Sequence, residues 1–320
     1  MTVAIVGGTG FIGSAVAKRL LARRLSPLVI ARGRHPVELP KGATFEAADR
    51  RDGAKLVELF HQHDVDTVID IFDLGLRNTA PVLEAMGAVG GRYVLLSSID
   101  VYSNYGGLLK RETPPIQTRP AREDDPLRDF RFPYRQNDRR PQGVEEDLFE
   151  DYDKIILEEA ARADGRFETS VIRAPMIFGP GDKQHRFKWA IEAVRNNRVV
   201  EIDQRAARWP NSYGYIDDVA EAMVLAALSP QAAGRTYNVG QDFVRTPIEW
   251  LLTFGVILGR RIEVVEVPPE KRGLQADRAD ASDLRYPLTL DTTRIRQELG
   301  FSEIVPEREA LLATIAAETQ

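Results

Sequence analysis

No cysteine occurs among the 320 residues, which excludes disulfides, a thiol nucleophile and any cysteine-ligated zinc or iron–sulfur centre. Histidine is nearly as scarce at four, and two of these, His61 and His63, share one charged stretch, so no metal site is expected. No apolar run approaches the roughly 18 residues that mark a membrane span. An excess of basic charge is also missing. With 43 Lys and Arg against 48 Asp and Glu, the net charge of −5 gives no general attraction to phosphate backbones, and nucleic-acid binding would need a local basic patch. The remaining balance, 43% hydrophobic and 28% charged, is that of an ordinary globular chain long enough for a large core.

What is present begins at once. Val3 to Gly13, VAIVGGTGFIG, reads as strand, tight glycine turn and helix, with AVAKRLLARR keeping its apolar residues on one face. Gly7 permits the turn, Gly10 lets backbone approach a pyrophosphate, and Gly13 lets helix pack on strand. The helix N-terminus adds unpaired N–H groups and positive dipole. Because this turn starts at residue 7, the N-terminus is expected to be the first strand and not a signal peptide, with a cytoplasmic location as the default.

Further strands are predicted at 26–32, 43–52, 65–73 and 92–98, alternating with helices over AKLVELFHQHD and NTAPVLEAMGAV. That alternation predicts an α/β fold, a Rossmann-type doubly wound parallel sheet with its ligand crevice at the C-terminal strand ends. The crevice edge collects the glycine turn, Arg32, Asp49, Asp73 and Ser98. Dinucleotide folds that prefer NAD carry an acid about 20 residues past the glycine motif. Here Arg32 and Arg34 stand in that region, which favours the 2'-phosphate of NADP over NAD.

From Ser98 to about Gly143 the chain is dense in Pro, Asp and Arg, the last including Arg111, Arg119, Arg122, Arg128, Arg131, Arg135, Arg139 and Arg140. An insertion this long, about 103–144, predicts a lid over the crevice. A helix is expected over 145–165, a strand and Gly-Pro-Gly turn over 168–182, and a smaller mixed substrate region over 175–320. The dinucleotide domain would then span 1–174, with chain exchange between the two.

GGTGFIG, Asp49, SSIDVY (97–102), Lys154, VIRAPMIFGPGD, YIDDVAEAM and TYNVG, in that order, resemble the extended short-chain dehydrogenases/reductases, the NAD-dependent epimerase/dehydratase-like family. The resemblance implies NADP or NAD as cofactor, a small hydroxylated or carbonyl substrate, redox or epimerase chemistry, and a homodimer built on the helices at 78–88 and 146–163. The residues it places at the cofactor are Gly7, Thr9, Gly10, Phe11, Ile12, Gly13, Arg32, Arg34, Asp49, Arg50, Phe72, Asp73, Lys154 and Pro175. Ser98 and Lys154 match the family's catalytic serine and lysine. The family tyrosine, four residues before the lysine and so one helical turn away, is replaced by Glu150, while Tyr152 would lie roughly 200 degrees round a regular helix.

Three catalytic readings follow: Glu150 substitutes as acid/base, a tyrosine such as Tyr102, Tyr105 or Tyr134 serves, or the oxidoreductase chemistry is lost. Glu150 and Lys154 could equally form an ordinary i,i+4 ion pair. Asp100 occupies the second position of the acidic pair found in dehydratase relatives, with Ile99 at the first. The acid/base candidates therefore run Glu150, Asp100, Tyr152. Asp73 falls where relatives carry a small residue, and an anion there needs a partner. Met176 and Asn211, with Arg208 nearby, depart from the nucleotide-sugar pattern. VIDIFDLGLRNTAPVLEAM and RYPLTLDTTRIRQELGF are similar to a branch that includes chloroplast stem-loop RNA-binding proteins, so a non-catalytic dinucleotide-binding or RNA-binding chain is the alternative to an enzyme.

Overall fold

The computed structural model describes residues 1–33, 39–135 and 149–319. Seven strands form one sheet in which every pair is parallel: β1 (Thr2–Val6), β2 (Leu28–Ala31), β3 (Thr44–Ala47), β4 (Val65–Asp70), β5 (Arg92–Ser98), β6 (Glu168–Ala174) and β10 (Thr236–Asn238). Their order, β10-β6-β5-β4-β1-β2-β3, reverses direction between β1 and β4. At that switch point the connections leave to opposite faces and a crevice opens at the strand C-termini.

The helices between strands are α1 (Phe11–Ala22), α2 (Gly53–Gln62), α3 (Leu76–Val89) and α5 (Lys154–Ala163), with the short α4 (Ser103–Leu108) inside the insertion. Strand residues of opposite parity serve opposite faces. Val3 and Ile5 enter the core shared with Val16 and Leu20 of α1 and Ala220 and Met223 of α7 (Ile216–Leu228), whereas Ala4 and Val6 enter the core shared with Leu56, Phe60, Val82, Met86 and Leu157. Cover on both faces explains why β5 reads as a nearly unbroken apolar run.

After β6 come β7 (Met176–Phe178), α6 (Lys188–Asn196), β8 (Val199–Asp203), β9 (Tyr213–Tyr215), then α7, β10, α8 (Pro247–Ile257), β11 (Glu263–Val267), α9 (Ala276–Ala281), α10 (Thr293–Leu299) and α11 (Glu307–Glu318). Two small parallel pairs, β7 with β9 and β8 with β11, stand beside the main sheet. The chain thus returns from its C-terminal region to lay β10 against β6.

Two local expectations are corrected. The insertion is not wholly irregular, since it contains α4 and is tied to the C-terminal region by a bridge from Ala121 to Leu290. The helix expected over 145–165 starts at Lys154 in the described residues. Asp153 is extended (φ −160°, ψ 107°) and its carboxylate caps the Ile155 N–H, while Phe149 and Glu150 are helical but separated from α5 by the break at 151–153. No helix among the described residues is long and apolar enough to cross a membrane.

Candidate active site

The three glycines of the first turn meet different constraints. Gly7 has φ +83°, and a Cβ there would stand 2.8 Å from the Phe72 Cβ at the end of β4. A Cβ on Gly13 would stand 2.4 Å from the Gly8 Cα, so α1 touches its own turn. Among the described residues, a Cβ at Gly10 would meet nothing within 4 Å, and no side chain caps α1. Open space over an uncapped helix N-terminus fits a diphosphate. Thr9 and Gly10 are exposed, Phe11 and Ile12 half-buried, and Phe11 lies beside Gly181 of the Gly-Pro-Gly turn.

Along the crevice, Arg32 is exposed at the end of β2, and Arg34 lies outside the described residues. Asp49 accepts from Arg51, whose hydrogen bond holds its carboxyl below the ordinary range, with Arg32 adding a smaller pull. Arg50 is turned into the fold. Its guanidinium makes a bidentate pair with Asp70 at 2.8 and 2.6 Å and donates to the Asn78 carbonyl at 2.9 Å, with the Tyr93 hydroxyl completing Asp70. Phe72 is half-buried against Gly7, and Pro175, buried between β6 and β7, backs onto Gly240.

Lys154 provides the partner that an anion at position 73 requires. Its ammonium donates to the Asp73 carbonyl at 2.7 Å, the Asp73 carboxylate at 2.8 Å and the Leu96 carbonyl at 2.7 Å. Three donors are thereby spent. The other Asp73 oxygen is buried and has no partner among the described residues. Burial pushes the Asp73 carboxyl up to about 7 against the opposing pull of Lys154.

The Glu150 to Lys154 geometry expected from one shared helix is absent, because α5 begins at Lys154 and the Glu150 carbonyl instead accepts from Arg135. Tyr152 takes its place beside the lysine. In extended chain, residues two apart project to the same side, and with Asp153 extended the Lys154 ammonium lies 5.8 Å from the Tyr152 ring centroid. The Tyr152 hydroxyl donates to Asp100 at 2.6 Å. The second Asp100 oxygen is buried and unpartnered among the described residues. Burial raises the Asp100 carboxyl, with Arg128 pulling it back, while burial and the Asp100 charge push the Tyr152 phenol well above 10. Ser98 is partly exposed at the end of β5, where its hydroxyl accepts the Asp100 N–H at 3.2 Å and starts the turn 99–101.

The other tyrosines are committed elsewhere. Tyr102 donates to Asn238 at 2.6 Å and accepts from Arg173, and the hydroxyls of Tyr105 and Tyr134 meet each other at 2.7 Å. Tyr134, from the insertion, sets its ring edge-on to Tyr152 with centroids 4.9 Å apart. Tyr134 of the insertion therefore packs directly on Tyr152.

Sequence reasoning missed Arg128 and Asp153. The signal for Asp153 was available: an aspartate directly before the periodic KIILEEAA is an N-cap pattern. The insertion's described arginines are largely paired, Arg119 with Asp125, Arg122 with Asp291, Arg128 with Asp153, Arg131 with Glu159 and Arg135 with Asp151, and Arg111 lies over Phe130. Arg139 and Arg140 fall outside the described residues. Arg208 is exposed and paired with Glu266, while Asn211 is buried and bridged to Arg245 and Leu288 through its backbone.

Comparison with known proteins agrees with this architecture. The chain is 25% identical to the 2'-dehydrokanamycin reductase of Streptomyces kanamyceticus, over 88% of its own length and 73% of the reductase. It is also 25% identical to the dTDP-6-deoxy-L-talose 4-dehydrogenase (NAD(P)+) of Kitasatospora kifunensis, over 97% and 93% of the two chains. Among solved structures, the UDP-glucose 4-epimerase of Thermus thermophilus in complex with NAD superposes with a TM-score of 0.65 at 22% identity, covering 100% of this chain and 99% of the epimerase, a likeness of fold. The pattern of the NAD dependent epimerase/dehydratase family matches residues 3–126 and 152–240. The chain belongs to the NAD dependent epimerase/dehydratase family.

Proposed function

We propose that this protein is an NAD(P)-dependent oxidoreductase or epimerase acting on a hydroxyl or carbonyl of a sugar-type substrate, with Tyr152 and Asp100 as its acid/base pair. The observation that carries this reading is the 2.6 Å hydrogen bond from Tyr152 to Asp100, set beside Lys154 and at the same sheet edge as the open glycine turn. Similarity to a sugar-nucleotide dehydrogenase and to an aminoglycoside-named reductase supports the substrate class.

The glycine turn would hold the cofactor's diphosphate through the N–H groups at the start of α1, and Arg32 would pair with a 2'-phosphate, a reading that favours NADP over NAD. When bound, the nicotinamide supplies the hydride acceptor or donor. Tyr152, whose phenol is held above 10, does not stand as a phenolate. It passes its proton to Asp100 as it takes one from the substrate hydroxyl, and returns it in the reverse direction. Ser98, at the tip of β5, would hold the reacting oxygen. Glu150, without a helical turn linking it to Lys154, ranks behind both.

One observation favours a competing reading, a dinucleotide-binding chain without turnover: all three Lys154 donors are already spent within the protein. The RNA-binding form of that reading draws on the insertion's arginines, most of which are paired. Absorbance of reduced nicotinamide, for net oxidation or reduction, and chromatography of the sugar, for epimerisation, during incubation with dTDP- and UDP-sugars and with aminoglycosides separate the two. In the enzyme, Tyr152→Phe and Asp100→Asn each lower turnover by about 10²- to 10⁴-fold with dinucleotide affinity by calorimetry unchanged. Tight dinucleotide binding with no turnover from the parent protein would favour the competitor, and RNA retention at low salt would favour its RNA-binding form.

A further inference from the structure

We infer that Arg128 is the positioning residue of this site, a strut that holds together the two chain segments carrying Tyr152 and Asp100. The inference rests on the reading of that pair as the acid/base machinery. Both the Arg128 and Asp153 side chains have no exposed surface. Burying a charge is costly unless its hydrogen-bonding capacity is met, so the directions in which this guanidinium spends its donors matter.

It spends them on two sides. Toward the turn after β5, its Nε donates to the Asp100 carbonyl at 2.9 Å, and its own backbone N–H donates to the Val101 carbonyl at 2.9 Å. Toward the start of α5, its two terminal nitrogens meet the Asp153 carboxylate at 2.9 and 3.2 Å. One of them also reaches the Phe130 carbonyl. Asp153 is saturated in turn, capping the Ile155 N–H at 3.0 Å and accepting from the Phe132 N–H at 2.7 Å.

Asp153 is the residue between Tyr152 and Lys154. Its extended backbone sends those two neighbours to one side and its own carboxylate to Arg128 on the other. Arg128 therefore fixes where α5 begins, and with it the extended conformation that brings a tyrosine two residues from the lysine to the same side, where a helix would need four. The same guanidinium fixes the turn that presents Asp100. A lysine cannot reproduce this, because two parallel bonds to a carboxylate and a third to a carbonyl need the planar fork.

The test uses the full chain with 3-fluorotyrosine incorporated and ¹⁹F spectra recorded, the Tyr152 signal being assigned through Tyr152→Phe. Tyr93, buried across the sheet on Asp70, serves as the internal control. In Arg128→Met, and in Asp153→Ser, which keeps a helix cap but removes the ion pair, the Tyr152 signal is expected to shift and broaden while the Tyr93 signal stays in place. Arg128→Lys should shift it less. An unmoved Tyr152 signal in Arg128→Met and Asp153→Ser would overturn the inference. So would Tyr93 and Tyr152 moving together in all three variants, which is the behaviour of a residue needed for folding at large. Because the readout needs no substrate, a parent protein without turnover would count against the proposed reaction and leave this result intact.

Discussion

The glycine turn and the corner around Lys154 face the same crevice and are built on opposite principles. The turn is made of backbone: its demands are a positive φ at Gly7, a 2.4 Å clash that only Gly13 avoids, and open space at Gly10. The corner is made of side chains that satisfy one another, with Lys154 on Asp73, Tyr152 on Asp100 and Asp153 on Arg128. A backbone site imposes its constraint residue by residue. A side-chain site can be rebuilt with different residues, provided the charges still balance.

Three measurements would break or sharpen that contrast. The largest effect is expected from Lys154→Met, which leaves Asp73 buried without its cation. Urea denaturation should show a loss of about 3–5 kcal/mol, and an equally stable variant would mean that the pair does not hold the corner. Next is the pH dependence carried by Asp73. Its folded value, pushed to about 7, lies above the unfolded value of about 4, so the native state binds the extra proton between those limits and stability falls as pH rises through the window. The fall should be about 2–4 kcal/mol, and Asp73→Asn should flatten it; an unchanged slope in that variant would remove Asp73 as the source.

The smallest effect concerns the turn. Gly13→Ala should lower stability by about 1–3 kcal/mol, whereas Gly10→Ala should stay within about 0.5 kcal/mol of the parent and lose dinucleotide affinity instead. Equal destabilisation by the two would erase the distinction between a packing glycine and a binding one.

The same contrast explains what was legible in the amino-acid order. The parallel sheet announced itself because strand and helix patterns alternate along the chain, and β5 was located at 92–98 as found. The pyrophosphate turn was legible because glycine has few reasons to recur at such intervals. The proposed Tyr152–Asp100 pairing was legible in part: both residues stood among the acid/base candidates, but behind Glu150, because the spacing argument assumed a helix running through residue 150. One residue, Asp153, delays the start of α5 to Lys154 by capping it in extended conformation, and so brings Tyr152 to the same side as the lysine. Asp73 and Lys154 come from distant parts of the chain, and although Asp73 plainly needed a cation, nothing local named which. Arg128 looked like one more charge in an arginine-rich stretch, since burial depends on tertiary packing.

The return of the chain to place β10 beside β6 has a consequence for how the protein is made. During synthesis, β6 is complete at Ala174, yet its outer edge stays without a strand until Asn238 has left the ribosome. For that interval the nascent sheet presents a row of unpaired backbone groups flanked by apolar residues, a surface prone to pairing with other chains. Truncations ending anywhere between these two points would carry six of the seven strands of the main sheet and lack the one that covers its outer edge.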